Sequence, residues 1–287
     1  MTAARHHPGM ETNRAHLGAA AWSAIIAGVA VARSPGEGEQ RRRAGRPRLR
    51  PASNAGVAPR AEILNAAAEL FVRQGLAATT TRQIADRVGI RQASLYYHFA
   101  GKDEILLELL TQSVRPSLRV AATLEARCVG DPAAGLYALV LIDAATLTSA
   151  PHNIATFYLL PEVQGEEYAS FHAERAELQA AYGRLGCAAG SGDMDESLTA
   201  ALIMQLVESV IQLRRTGEWR DGYTHQIAAA CLRLVGLRPE KVSRARAVAS
   251  GLVDSMLKEG QVLGTLARDG VPTVPSPPPR AALARRW

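Results

Sequence analysis

Between residue 60 and about residue 260 the apolar residues recur at three- and four-residue spacing, and strand-like alternation with hairpin turn signals does not appear. This periodicity restricts the chain to an all-α fold. The segment RAEILNAAAELFVRQG places Ile63, Ala67, Leu70 and Phe71 on one helical face and stops at Gly75. Further helices are expected over roughly 103–128, 132–149, 152–160, 165–187, 194–217, 222–236 and 239–258. The breaks between them fall at Gly130-Asp131-Pro132, Pro151, Pro161, Ala189-Gly190-Ser191-Gly192 and Pro239. No internal repeat is found.

Charge divides the chain more sharply than hydrophobicity does. Residues 41–50, RRRAGRPRLR, hold six arginines and no acid, and residues 60–102 carry a further net charge of +3. Residues 103–264 reverse the sign, with 14 basic and 20 acidic residues. A short basic block ahead of a long acidic one implies a polyanionic partner for the first block alone. Residues 17–32, LGAAAWSAIIAGVAVA, form an apolar run shorter than the roughly 20 residues of a membrane span. Ala30-Val31-Ala32 gives that run a faint likeness to a signal peptide, but it reads better as a surplus extension or a short helix. The three cysteines, Cys128, Cys187 and Cys231, are far apart and read as buried small hydrophobes in a reducing compartment.

Residues 80–99 carry the most specific signal. Thr80 followed three residues later by Gln83 is a capping box, and Ile84, Ala85 and Val88 form the buried stripe of the helix it opens. Gly89-Ile90 then makes a tight turn into RQASLYYHF, where three of nine residues are aromatic in a chain that is 5% aromatic overall. Two short helices, 80–88 and 92–98, fit a helix-turn-helix. Leu95 and Phe99 are expected to face inward. Tyr96, Tyr97 and His98 would then face outward with donors suited to phosphate oxygens. Arg91, Gln92 and Ser94 sit early on the second helix, where base edges come within reach.

This arrangement resembles the TetR family of bacterial transcriptional regulators, on Thr80, Ile84, Ala85, Gly89, Ile90, Leu95, Tyr96, His98, Phe99, Lys102 and Ile105. The resemblance covers residues 60–105. Three positions depart from the usual pattern: Arg91 replaces a capping Ser, Val88 an Ala, and Ala93 a frequent Gly. The resemblance implies double-stranded operator DNA as a partner, with Thr80, Tyr96, His98 and Lys102 on phosphates. It gives Thr81, Arg91, Gln92, Ser94 and Tyr97 to base readout. Upstream, Gly45-Arg46-Pro47-Arg48 looks like an AT-hook core, placing Arg46 and Arg48 on the DNA as a basic arm.

The expected organisation is a disordered basic extension (1–59), a helix-turn-helix domain (60–105), a helical effector-binding and dimerisation domain (106–260) and a Pro-rich disordered tail (261–287). By resemblance, LTAALIMQLVESVIQLRR (198–215) and YTHQIAAACLRLVGL (223–237) pack against their copies in a homodimer. Leu198, Leu202, Leu206 and Leu213 trace one stripe of the first, and Ile203, Val207 and Ile211 lie on the adjoining face. An unknown small-molecule effector is expected among the 103–187 helices and the inner face of 194–217. Tyr137, His152, Phe157, Tyr158, Phe171, Tyr182 and Met204 are its candidate contacts.

Catalytic signatures are absent from the sequence: there is no GxSxG, HExxH, P-loop or Rossmann glycine motif. The expectation is a cytoplasmic, nucleoid-associated regulator without cofactor, metal or membrane partner. A helical small-molecule binding protein or enzyme with an incidental helix-turn-helix is the alternative.

Overall fold

The computed structural model describes residues 59–190 and 194–259. The basic arm with Arg46 and Arg48, the apolar run 17–32 and the Pro-rich tail lie outside the described residues. The described residues hold α-helices and short 3-10 turns without a strand, so the fold is all-α.

The first three helices are α1 (Pro59–Gln74), α2 (Thr81–Val88) and α3 (Gln92–Tyr96). Helix α1 ends at Gly75, whose N–H still reaches the Phe71 carbonyl at 2.9 Å while its φ of +84° turns the following chain out of the helix. Helix α2 opens with the expected box: Gln83 N–H donates to Thr80 Oγ1 at 3.2 Å, and Thr80 N–H donates to Gln83 Oε1 at 2.8 Å. It closes at Gly89 in the left-handed region (φ +78°), which turns the chain into α3. Ile63, Phe71, Ile84, Leu95 and Phe99 are almost fully buried and make the core of this small unit. Arg87 holds α2 to α1, donating to Glu69 at 2.6 Å and 3.0 Å. Arg60 donates to the His98 carbonyl at 2.9 Å and lies 4.1 Å over the Phe99 ring, fixing the exit from α3.

Six further helices follow: α4 (Lys102–Arg127), α5 (Pro132–Ser149), α6 (Ala169–Ala189), α7 (Glu196–Thr216), α8 (Tyr223–Leu234) and α9 (Pro239–Lys258). Helix α5 is central, packing against α4, α6, α7, α8 and α9. Its start follows from local chemistry, since Asp131 accepts from Ala134 N–H and Pro132 fills the first turn. Helices α6 and α7 approach closely through Gly183 and Gly186. A Cβ on Gly183 would lie 3.0 Å from the Glu196 carbonyl, and one on Gly186 would lie 2.8 Å from Ile203 and Thr199.

The sequence predicts a helix over 152–160, and the structure replaces it with a 3-10 turn, Ile154–Phe157. Pro151 and Pro161 bracket too few residues for a stable α-helix, and Leu160 before Pro161 is extended at ψ 140°. The segment is instead held from outside by Asn153, whose Nδ2 donates to the Ile211 carbonyl at 2.8 Å. The 165–187 helix likewise begins as a 3-10 turn (Glu166–Tyr168) and continues to Ala189. Helix α3 stops at Tyr96, two residues short of expectation. Cys128 and Cys231 are buried as expected, whereas Cys187 is only half-buried; all three are free thiols.

Candidate functional site

Helix α3 presents an exposed face with a built polar network. Gln92 Nε2 donates to Thr81 Oγ1 at 2.9 Å and to the Tyr96 hydroxyl at 3.4 Å, and the Tyr96 and Thr81 hydroxyls are 3.1 Å apart. These contacts link α3 to the start of α2, so three of the expected contact residues hold one another in place before any partner arrives. Arg91 and Ser94 are exposed beside them. Arg91 stands at the N-cap without a side-chain cap bond, as its replacement of a capping residue requires. Tyr97 is 87% exposed and Tyr96 50% exposed, while Leu95 and Phe99 are buried, which gives the aromatic cluster both of its faces. His98 is half-buried and meets the Tyr97 ring edge-on at 5.4 Å between centroids.

Thr80 lies exposed in its capping box. Lys102 has a role the sequence did not suggest. Its ammonium donates to the carbonyls of Leu76 (2.9 Å) and Thr79 (3.4 Å), fastening the α1–α2 loop to the start of α4. Two of its three donors are therefore engaged inside the protein, which leaves one for the expected phosphate contact.

A second polar site lies deep among α4, α5, α6 and α7. It surrounds a cavity of about 10 Å³, roughly the space of one water, lined in part by Ser113, Asp143, Tyr158, Arg175, Met204 and Glu208. Asp143 is 4% exposed. Its carboxylate accepts from the Ser117 hydroxyl at 2.7 Å and the Tyr182 hydroxyl at 2.8 Å. Burial pushes its pKa up to about 6, although both hydroxyls act to lower it. Arg175 donates twice to Glu208, at 2.8 Å and 2.7 Å, and burial raises the Glu208 carboxyl despite this pairing. Ser113 donates to the Leu110 carbonyl at 2.6 Å, so the Tyr158 hydroxyl, 2.7 Å away, donates to Ser113.

Of the seven residues expected at an effector site, Tyr158 and Met204 line this cavity. Tyr182 supports it through Asp143, and Phe171 packs on the Tyr158 ring at 5.1 Å. The other three are placed elsewhere. The Tyr137 hydroxyl is 3.0 Å from His225 Nδ1 on α8. His152 lies near Glu69 of α1, whose carboxyl is held below its ordinary pKa chiefly by the Arg87 guanidinium and to a smaller degree by His152. Phe157 meets Phe71 of α1 at 6.4 Å between ring centroids. An aromatic or histidine in a helical stripe reports burial, not which of several interior spaces it faces. Ser113, Ser117, Asp143, Arg175 and Glu208 were missed. Asp143 left a legible trace, as the one charged residue within PAAGLYALVLIDAATLTS.

Comparison with known proteins agrees with this geometry. The family model for bacterial regulatory proteins, tetR family, matches residues 63–109. The HTH-type transcriptional repressor KstR2 of Mycobacterium tuberculosis (strain H37Rv) is 55% identical over 51 residues, covering 18% of this chain and 26% of that protein. KstR2 of Rhodococcus jostii (strain RHA1) is 51% identical over 51 residues, covering 18% and 25%. The chain thus spans about a quarter of the length of these curated relatives. The crystal structure of Mycobacterium smegmatis AmtR is 40% identical with a TM-score of 0.63, covering 70% of this chain and 97% of that one. The chain belongs to the TetR family, a family of regulators and not of enzymes.

Proposed function

We propose that this chain is a sequence-specific transcriptional repressor that binds double-stranded operator DNA as a homodimer in the cytoplasm and is released by a small-molecule effector. The observation that carries the reading is the exposed face of α3, where Arg91, Ser94 and Tyr97 project beside the Thr81–Gln92–Tyr96 network. A preorganised face of this kind suits the major groove, with Arg91, Gln92 and Ser94 at base edges. Thr80, Thr81, Tyr96, Tyr97, His98 and the third donor of Lys102 act around it, on the phosphates and neighbouring bases. Arg46 and Arg48 add charge from the arm.

Dimerisation is supported by α7. Its Ile203, Val207 and Ile211 face the protein interior, while Leu198 and Leu202 stand 51% and 37% exposed, with Leu206 partly buried one turn on. This leucine stripe fits a second copy of the same helix related by a two-fold axis.

Release is supported by one short segment. Tyr158 enters the cavity, and the preceding residue, Phe157, packs on Phe71 of α1. Helix α4 makes a second link, with Lys102 fastened to the α1–α2 loop and Ser113 at the cavity. A ligand that moves Tyr158 or α4 shifts the helix-turn-helix units of the dimer, to the extent that it binds the two states differently.

The test is titration of the purified dimer against its own upstream intergenic DNA across a salt series, with Arg91→Ala alongside. Sequence-specific binding that Arg91→Ala weakens by about 1–3 kcal/mol and makes less selective is the expected outcome. A folded dimer without salt-dependent DNA affinity would overturn the reading and favour a helical small-molecule binding protein.

A further inference from the structure

The cavity among α4–α7 carries an unbalanced charge. Of the residues lining it, Asp143 and Glu208 are acids and Arg175 is the one base. Both forks of Arg175 are taken by Glu208, so that pair neutralises itself. Asp143 is left with two hydroxyl donors and one surplus negative charge inside the domain. Taking a carboxylate out of water costs several kcal/mol unless a cation or enough donors compensate, and two neutral hydroxyls compensate only in part. The rest of the wall is apolar, made of Val114, Leu147, Leu178 and Met204.

We propose that this cavity binds a small ligand bearing a primary ammonium group, with Asp143 as its counter-ion and a short aliphatic tail against Leu147, Leu178 and Met204. Three observations select this class. The lining has a net formal charge of −1, which disfavours an anion. A wholly apolar ligand would remove space for water while leaving Asp143 uncompensated. The space is about that of one water, close to the size of an –NH3⁺ head, and the flexible Met204 side chain gives way to admit a tail. Burial raises the Asp143 pKa, and the nearby Glu208 carboxylate adds to that rise. The proposal deepens the effector-site reading above and rests on it.

The full-length dimer is titrated at pH 7.5 and constant ionic strength with propylammonium chloride, sodium propionate and 1-propanol, reading calorimetric binding and thermal midpoint. Saturable binding and a raised midpoint are expected with propylammonium alone. Asp143→Asn should weaken that binding roughly thirtyfold or more, the usual consequence of deleting one partner of a buried charge pair. Met204→Phe keeps the carboxylate but fills the cavity, and should abolish binding even if Asp143→Asn folds poorly. Propylammonium binding that survives both variants, equal responses to all three probes, or no response in a folded wild-type dimer would each overturn the proposal. DNA affinity is measured in the same samples. Ammonium binding at Asp143 that leaves DNA affinity unchanged would uphold the site and refute only its role in release.

Discussion

Asp143→Asn also tests the energetics of the cavity without any ligand. The carboxyl has an ordinary pKa of 3.8 and is pushed up to about 6 in the folded protein. Between those values the folded chain holds a proton that the unfolded chain has lost, so stability falls as pH rises through this window and levels off above it. The gap corresponds to about 3 kcal/mol. Asparagine cannot ionise and escapes this fall. It does set an amide NH2 against one of the Ser117 and Tyr182 hydroxyls, at a pH-independent cost of about 1–2 kcal/mol. The assay is urea unfolding followed by circular dichroism at pH 4, 5, 6 and 7.5, at fixed protomer concentration so that the proposed dimerisation contributes equally throughout. Wild type should lead the variant at pH 4, and that lead should shrink by about 2.5 kcal/mol by pH 7.5, the first part of the fall lying below pH 4. Glu69 and Glu259, whose pKa values are lowered by Arg87 and Arg127, titrate in both proteins and cancel in the difference. A difference that stays flat with pH, or grows in favour of wild type, would refute the claim that an uncompensated carboxylate lies buried at this point.

The same structure makes four further predictions. Gly251→Ala on α9 meets nothing within 4 Å and should stabilise the protein by about 0.5–1 kcal/mol through helix propensity. Gly183→Ala gains the same propensity but drives a Cβ to 3.0 Å from the Glu196 backbone, so a net loss of about 1–2 kcal/mol is expected in urea titrations; equal effects at the two sites would show that the α6–α7 contact is slack. Thr80→Ala deletes the Oγ acceptor of the capping box and should cost about 1 kcal/mol, measured as a lower thermal midpoint with DNA affinity falling in parallel. The double variant Leu198→Glu/Leu202→Glu places charge on the exposed stripe of α7; sedimentation should find monomer, and an unchanged dimer would remove this face from the interface.

Much of the fold was legible because its determinants are local. The capping box of Thr80 and Gln83, the left-handed Gly89 and the Asp131-Pro132 start of α5 each involve residues within a few positions of one another. The inward Leu95 and Phe99 and the outward Tyr97 follow from helical period alone. For the same reason the exposed residues of this segment, Arg91, Gln92, Ser94 and Tyr97, could be named from the sequence. The predicted 152–160 helix failed because its conformation is set by distant partners, among them the Ile211 carbonyl that binds Asn153.

The interior polar site required the tertiary structure. Ser117 and Asp143 are 26 residues apart, Arg175 and Glu208 33 apart, and Tyr182 lies 39 from Asp143. Periodicity marks which side of a helix is buried, but four buried sides can meet in many registers, and only packing selects the one that brings these groups together. The glycines Gly183 and Gly186 set how closely α6 and α7 approach, and so take part in that selection. The same reasoning explains why Tyr137, His152 and Phe157 lie apart from this cavity and why Lys102 turned inward to the Leu76 carbonyl. The sequence by itself determined the helices, their caps and the face shown to the outside. The convergence of helices decided which charges share the interior, because a buried carboxylate is defined by neighbours far away in the chain.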